Sequence, residues 1–280
     1  MGGRPAAEAR VVRPPRTQLE GAVLADFPVT REVIARLRGW VEAFAALLPP
    51  PVQVRFSATS VRWEHDEKNA QTLQVAKAVR IASGLHAAMA LADLRHTVEC
   101  TTLLRTVSDF CSEITFLGEG LAEGRLTAEQ QKFLEQQFTP FASTPEELAS
   151  RDKERYVGRG AVGKAHGRLA EKAGVDKDLL FSVTEYLNKA YDSYVHGYYA
   201  TAMELYTGRT MSFMLAGHES ERHVCMAKAG VAGKLKEALN AFRMMAINRA
   251  TPDLDQEIRN AFDSIEKSGE DSALPCRGLV

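Results

Sequence analysis

The most restrictive feature of the sequence is a long stretch, 67–117, that is almost free of helix-breaking residues. Its one interruption is Ser83-Gly84, which predicts a division into two long helices. In the second helix the apolar side chains recur at helical spacing and form one stripe, made of Cys100, Leu103, Leu104, Val107, Phe110, Cys111, Ile114 and Leu117. Such stripes are buried against other helices. The stretch therefore predicts an all-α fold, a multi-helix bundle.

Threonine side chains predict four helix starts, because a hydroxyl at the cap accepts a hydrogen bond from an unpaired backbone N–H. These residues are Thr30, Thr127, Thr144 and Thr251. Further helices are predicted over 177–196, 198–215, 234–248 and 252–267. Only residues 52–56 alternate with period two, and they predict one short strand without a sheet.

The predicted organisation is one main helical domain, 28–267, between two ends that we expect to be disordered. The leader, 1–27, is basic and contains several prolines. The tail, 268–280, contains Gly269, Pro275 and Gly278, which do not favour a helix.

Composition narrows the class of protein without naming a function. Apolar residues make up 45% of the chain and charged residues 25%, so a wholly disordered protein is excluded. The formal net charge is -1, so no overall positive field attracts nucleic acid. Four scattered cysteines do not form the pattern of a disulfide framework. We expect a reduced, cytoplasmic protein with no secretory signal and no contact with a membrane.

A local basic segment is the exception to the balanced charge. Gly158 to Lys164 matches the G-x-x-x-x-G-K pattern of a phosphate-binding loop, but Ala165 lacks the hydroxyl that holds magnesium, so a glycine-rich linker is favoured. Positive side chains around it predict a surface for RNA phosphates, with a solvated helix face as the alternative. They are Arg151, Lys153, Arg155, Arg159, Lys164 and Arg168.

Arg105, Asp109 and His196 form the candidate catalytic group. A histidine transfers protons near neutral pH, and an arginine stabilises negative charge on a phosphoryl group. The pair is therefore competent for metal-independent RNA cleavage through the ribose 2′-hydroxyl. In the structural alternative, Arg105 and Asp109 form a buried ion pair and His196 caps the end of its helix.

Metal binding is another alternative for a helical bundle that contains seven histidines. Di-iron bundles use Glu-x-x-His on two helices, whereas this chain has the reverse order once, from His96 to Glu99. Glu219, Glu221 and His223 lie near His218 in sequence but lack clear ligand spacing. We therefore expect no cofactor and no metal, and a carboxylate and histidine site stays open.

Two motifs carry a family resemblance: L-L-R-T-V-S-D at 103–109 and Y-D-S-Y-V-H-G at 191–197. Over residues 66–215 the chain resembles an uncharacterised bacterial all-helical family related to the HEPN (higher eukaryotes and prokaryotes nucleotide-binding) domains. The resemblance implies a helical bundle, frequent dimers, and roles as metal-independent ribonucleases in toxin and phage-defence systems. HEPN nucleases carry Arg and His on one helix with four to six residues between them, whereas Arg105 and His196 are far apart in sequence. The only R-x6-H here runs from Arg159 to His166, in a glycine-rich stretch.

The sequence therefore leaves several functions open. We expect a non-catalytic interaction or sensor protein of a bacterial stress or phage-defence system. The alternatives are a toxin-like ribonuclease that uses Arg105 and His196, and a metal-binding bundle. RNA, a protein partner and a second copy of the chain are the partners that these functions imply.

Overall fold

The computed structural model describes several continuous segments and some single residues. The segments are 26–55, 61–138, 191–196, 203–207, 211–272 and 274–277, and the single residues are 157, 162, 168, 174, 176, 182, 189, 201 and 279. The predicted helix start at Thr144 and nearly all of the leader lie outside the described residues. Phe27, the last residue assigned to the leader, is buried in the core.

The protein is an all-α bundle, as the sequence predicts. Its helices are α1 (Pro28–Ala46), α2 (Ala70–Asp93), α3 (Thr97–Ala122), α4 (Ala128–Phe138), α5 (Glu221–Asn248) and α6 (Pro252–Ser268), followed by a single 3-10 turn (Leu274–Cys276). A short helical segment, 191–195, stands between α4 and α5 in sequence.

The core lies where α2, α3 and α5 pack together, and α1 and α6 cover one side of it. A smaller apolar cluster forms where α4 packs against the start of α2 and the end of α3. Val162 joins this cluster and is helical and buried. Val162 belongs to the segment predicted to be a glycine-rich linker, and burial of its apolar side chain on the bundle is favourable. The rest of that segment lies outside the described residues.

The division predicted at Ser83-Gly84 is wrong. Helix α2 continues through both residues to Asp93, and the chain turns at Arg95, whose φ of 69° is left-handed. A Cβ at Gly84 would stand 2.8 Å from Cγ2 of Val107. The glycine therefore permits close packing of α2 on α3 and does not end the helix.

Of the described helix starts, Thr127 is confirmed as a capping box. The hydroxyl of Thr127 accepts from the N–H of Gln130 at 3.2 Å, and the Gln130 side chain accepts from the N–H of Thr127 at 2.8 Å. Helix α6 does begin after Thr251, but the Thr251 hydroxyl donates to the carbonyl oxygen of Ala246 at 3.0 Å and caps no N–H.

The predicted start at Thr30 is wrong, because α1 begins at Pro28 and Thr30 is buried in its first turn. The cap comes instead from Glu270, whose carboxylate accepts from the backbone N–H groups of Val29 at 3.1 Å and Thr30 at 2.8 Å. The hydroxyl of Thr30 also donates to it at 2.6 Å. A carboxylate is favourable there, since unpaired N–H groups make that helix end positive.

The tail after Ser268 is folded in its described part, contrary to the expected disorder. Glu270 caps α1, and Cys276 forms a disulfide with Cys225 near the start of α5. We call Thr30, Glu270, Cys225 and Cys276 the C-terminal junction. A disulfide is typical of oxidising compartments, so it stands against the expected reduced cytoplasm; the location stays a prediction.

Two small antiparallel hairpins correct the expectation of a single strand. Strand β1 (Val52–Arg55) pairs with β2 (Val61–Glu64), and Val52 faces Glu64 in the register. Strand β3 (Tyr206–Thr207) pairs with β4 (Ser212–Phe213), where a helix over 198–215 was predicted. The rings of Tyr206 and Phe213 meet edge to face at 5.3 Å, and this cross-strand contact supports the second hairpin.

Helix α2 is long and apolar enough to cross a membrane, by length and composition alone. Half of its most apolar stretch is buried inside the bundle. The core position of α2 accounts for its apolar sequence, and the expected absence of membrane contact stays a prediction.

Candidate functional site

Arg105 occupies the middle of α3 and is 3% exposed. Its guanidinium donates to Oδ1 of Asp109, one turn later on the same helix. Its Nε donates to Oδ1 of Asp192 at 2.9 Å, across to the helical segment 191–195. We call these three residues the arginine junction. Arg105 therefore forms the ion pair of the structural alternative with Asp109, and it also contacts another element.

His196 stands at the end of the same helical segment and is exposed. Its backbone N–H donates to the carbonyl oxygen of Asp192 at 2.9 Å, so it follows the arginine junction by one turn. The two sequence motifs do converge, but Asp192 makes the contact with Arg105. The catalytic grouping of Arg105, Asp109 and His196 stays a prediction.

Asp192 is a site residue that the sequence analysis missed. It lies in the 191–197 motif, on the face assigned to the polar side of its helix. An acidic residue one turn before His196 is the signal that would have identified it as a partner for a buried arginine, because buried charges require pairing.

A second polar group is centred on Ser108 of α3, which lies between Arg105 and Asp109 in sequence. The hydroxyl of Ser108 donates to Glu237 of α5 at 2.8 Å and accepts from Nζ of Lys234 at 3.1 Å. Lys234 and Glu237 pair at 2.6 Å, and the ammonium group also lies 5.0 Å from the ring centre of Tyr191. Sequence analysis missed this group as well, because Ser108 and Lys234 are 126 residues apart in sequence.

Lys234, Tyr191 and Cys111 do not supply a base near neutral pH. Burial would lower the pKa of Lys234, but the adjacent Glu237 carboxylate outweighs it and the pKa is raised. Burial raises the pKa of Tyr191 and of the Cys111 thiol. Lys234 therefore stays charged, and Tyr191 and Cys111 stay protonated. The arrangement holds elements together and offers no activated nucleophile.

A cavity of about 190 Å³ lies beside the arginine junction. The first few turns of α3 and the first few turns of α5 form its walls. Tyr191, Tyr194 and Glu204 complete the lining. The hydroxyl of Tyr194 donates to both carboxylate oxygens of Glu204, at 2.9 and 3.0 Å. Burial, together with that carboxylate, raises the pKa of Tyr194 to about 12. Tyr194 therefore remains a donor and fixes the position of Glu204.

The predicted RNA surface lies mostly outside the described residues, which leave out Arg151, Lys153, Arg155, Arg159 and Lys164. Arg168 is described, and its guanidinium binds the carboxylate of Glu119 in a bidentate pair at 2.8 and 2.5 Å. Hydrogen bonding to Glu119 raises the pKa of Arg168. Its charge is therefore compensated within the bundle.

Among the described residues, no group of three or more His, Cys, Asp or Glu side chains could hold a metal ion. His218 stacks on His223 with ring centres 4.1 Å apart, and Glu221 pairs with Arg95 at 2.6 Å. His96, whose spacing to Glu99 is the reverse of the di-iron pattern, is partly exposed at the start of α3. Its Nδ1 lies 3.9 Å from Glu99.

Comparisons with known proteins add no relative to this picture. No protein-family model matches the chain, and no match was found among curated proteins or solved structures.

Proposed function

We propose that the protein is a non-catalytic interaction or sensor protein that binds its ligand in the cavity beside the arginine junction. We assign this role to a bacterial stress or phage-defence system, as the sequence resemblance to HEPN-related proteins implies. In this proposal, Arg105 joins α3 to the ligand-binding segment 191–196 and does not touch the ligand.

The state of Arg105 is the observation that carries the proposal. A catalytic arginine must direct free N–H donors at the phosphoryl group whose charge it stabilises. Arg105 is 3% exposed, and its guanidinium is committed to Asp109 and Asp192. An arginine held between two carboxylates serves as a structural bridge, since opening it would leave charges unpaired.

Degradation of a labelled RNA in the presence of a metal chelator tests the proposal. The wild-type protein, His196→Ala and a matched control, His86→Ala on the exposed face of α2, are compared. We expect no degradation by any of them. Degradation by the wild type and His86→Ala that His196→Ala abolishes would overturn the proposal.

Ribonuclease activity is the second candidate, because His196 is exposed only one turn beyond Asp192. In that case Asp192 and Arg105 position the segment, and His196 acts on RNA held at the surface. The HEPN resemblance adds the expectation of a dimer, which sedimentation measurements would test. The RNA experiment separates this candidate from the binding protein.

A further inference from the structure

We propose that the cavity between α3, α5 and segment 191–196 binds a small organic cation, an ammonium group on an apolar body. This inference rests on the proposed function and specifies the ligand class for the same site. It is carried by the charge, the aromatic lining and the size of the cavity.

Charge is the first observation. Among the described residues that line the cavity, Glu204 is the only Asp, Glu, Lys or Arg. Tyr194 occupies only part of the acceptor capacity of that carboxylate, since an ionised carboxyl group accepts about four hydrogen bonds. Glu204 can therefore accept from an ammonium group, and it repels a carboxylate or a phosphate.

The positive ends of α3 and α5 oppose a cation. They carry only partial charges, and their effect falls off within the first turn. Each helix also has an acidic residue in that turn, Glu99 in α3 and Glu221 in α5. The cavity extends to Leu104, the eighth residue of α3, and Gly230, the tenth residue of α5, so the full charge of Glu204 dominates there.

The aromatic and apolar side chains that line the cavity suit the apolar body of such a ligand. Tyr191 and Tyr194 provide aromatic rings, which attract cations, and Leu104, Met226 and Ala227 provide apolar surface. Tyr191 already lies beside the ammonium group of Lys234 at 5.0 Å. That positive charge is compensated by Glu237 at 2.6 Å, so it weakens the attraction of a second cation only modestly.

The volume limits the size of the ligand. The cavity measures about 190 Å³, and an apolar cavity of about 150 Å³ accommodates benzene. A single ring or a short alkyl chain that carries one ammonium group therefore fits. Benzylammonium is a suitable probe, with benzyl alcohol as the neutral analogue and benzoate as the anionic one.

Isothermal titration calorimetry with these three probes tests the inference on the full chain. We expect benzylammonium to bind about tenfold more tightly than benzyl alcohol, the effect of one hydrogen bond to a charged group, and benzoate not to bind. Glu204→Gln should abolish the preference for the cation. Glu32→Gln, an exposed carboxylate on α1, is the matched control and should preserve it.

Tyr194→Phe is the second variant and guards against misfolding of Glu204→Gln. It leaves the carboxylate charged and frees its oxygens, so the preference for benzylammonium should persist or increase. The inference is overturned if benzylammonium fails to bind at about 10 mM, if benzyl alcohol binds equally well, or if folded Glu204→Gln keeps the preference. None of these results bears on RNA degradation, which tests the proposed function separately.

Discussion

The two junctions of the bundle both tie a distant part of the chain to a helix, but they do so by different chemistry. The C-terminal junction ties the chain end to the starts of α1 and α5 through a disulfide and a buried carboxylate on backbone N–H groups. The arginine junction ties segment 191–196 to α3 through ion pairs. Asp109 and Asp192 are partly exposed, with side-chain exposures of 28% and 30%.

This difference indicates which of the two junctions can rearrange. Leu104 and Tyr191 line the cavity, and each is the sequence neighbour of a member of the arginine junction. Ion pairs that water reaches can rearrange when a ligand binds, whereas a covalent bond and a buried helix cap hold one arrangement. We propose that the C-terminal junction stabilises the fold and that the arginine junction serves the site.

The largest effect is expected from breaking the disulfide. Cys225→Ser should lower the free energy of unfolding by up to about 4 kcal/mol, because the bond closes a loop of 51 residues and limits the unfolded chain. Denaturant unfolding measures the loss. A reductant should lower the stability of the wild type to that of Cys225→Ser and leave the variant unchanged. Equal stability of the oxidised wild type and the variant would contradict the role of this junction.

Removing Arg105 should have the next largest effect. Arg105→Ala leaves Asp109 and Asp192 without their shared cation, and we expect a loss of about 3 kcal/mol in unfolding experiments. Arg38→Ala is the matched control, because its pair with Glu42 is exposed on α1 and its loss should have a much smaller effect. Similar losses in both variants would show that the arginine junction does not join the segment to α3.

The smallest effect is expected on stability in acid, and it comes from Asp93, which lies near the C-terminal junction. Asp93 binds Arg31, the neighbour of Thr30, at 2.6 Å and Lys228, one turn after Cys225, at 2.9 Å. Burial raises the pKa of Asp93, but hydrogen bonds from these cations outweigh it and hold the pKa below its ordinary value. The stabilisation is therefore complete above the unfolded pKa of about 4 and is lost as pH falls through the lower folded value.

Unfolding measured at pH 7 and in acid tests this contribution. Asp93→Asn should reduce the acid-induced loss of stability by less than about 1 kcal/mol, since the pair is partly exposed. Asp66→Asn, an exposed residue after β2, should leave the acid-induced loss as in the wild type. A steeper acid dependence in Asp93→Asn would contradict the sign of the effect.

Local sequence patterns predicted the elements better than their ends. The apolar stripe of α3 and the capping box at Thr127 follow from spacing within one turn or two, and both are present. The interruption at Gly84 was misread because a glycine has the same local signature in a helix break and in a close helix contact. In the structure, a Cβ at Gly84 would stand 2.8 Å from Cγ2 of Val107, and this closeness distinguishes a helix contact from a helix break.

The candidate site was predictable to a smaller extent. Arg105 was conspicuous as a cation on an apolar helix, and Asp109 follows it by one turn. Asp192 joins Arg105, and Lys234 and Glu237 join Ser108, from distant parts of the chain, so no local spacing relates them. The same holds for Glu270, which caps a helix that begins some 240 residues earlier.

The sequence by itself determined that the chain forms amphipathic helices and must bury their apolar stripes against one another, because helical periodicity is a property of neighbouring residues. The tertiary structure alone decided which charges meet, where the cavity lies and what caps α1. Those features depend on the mutual placement of helices, and the burial of apolar surface that drives this packing has no preferred direction.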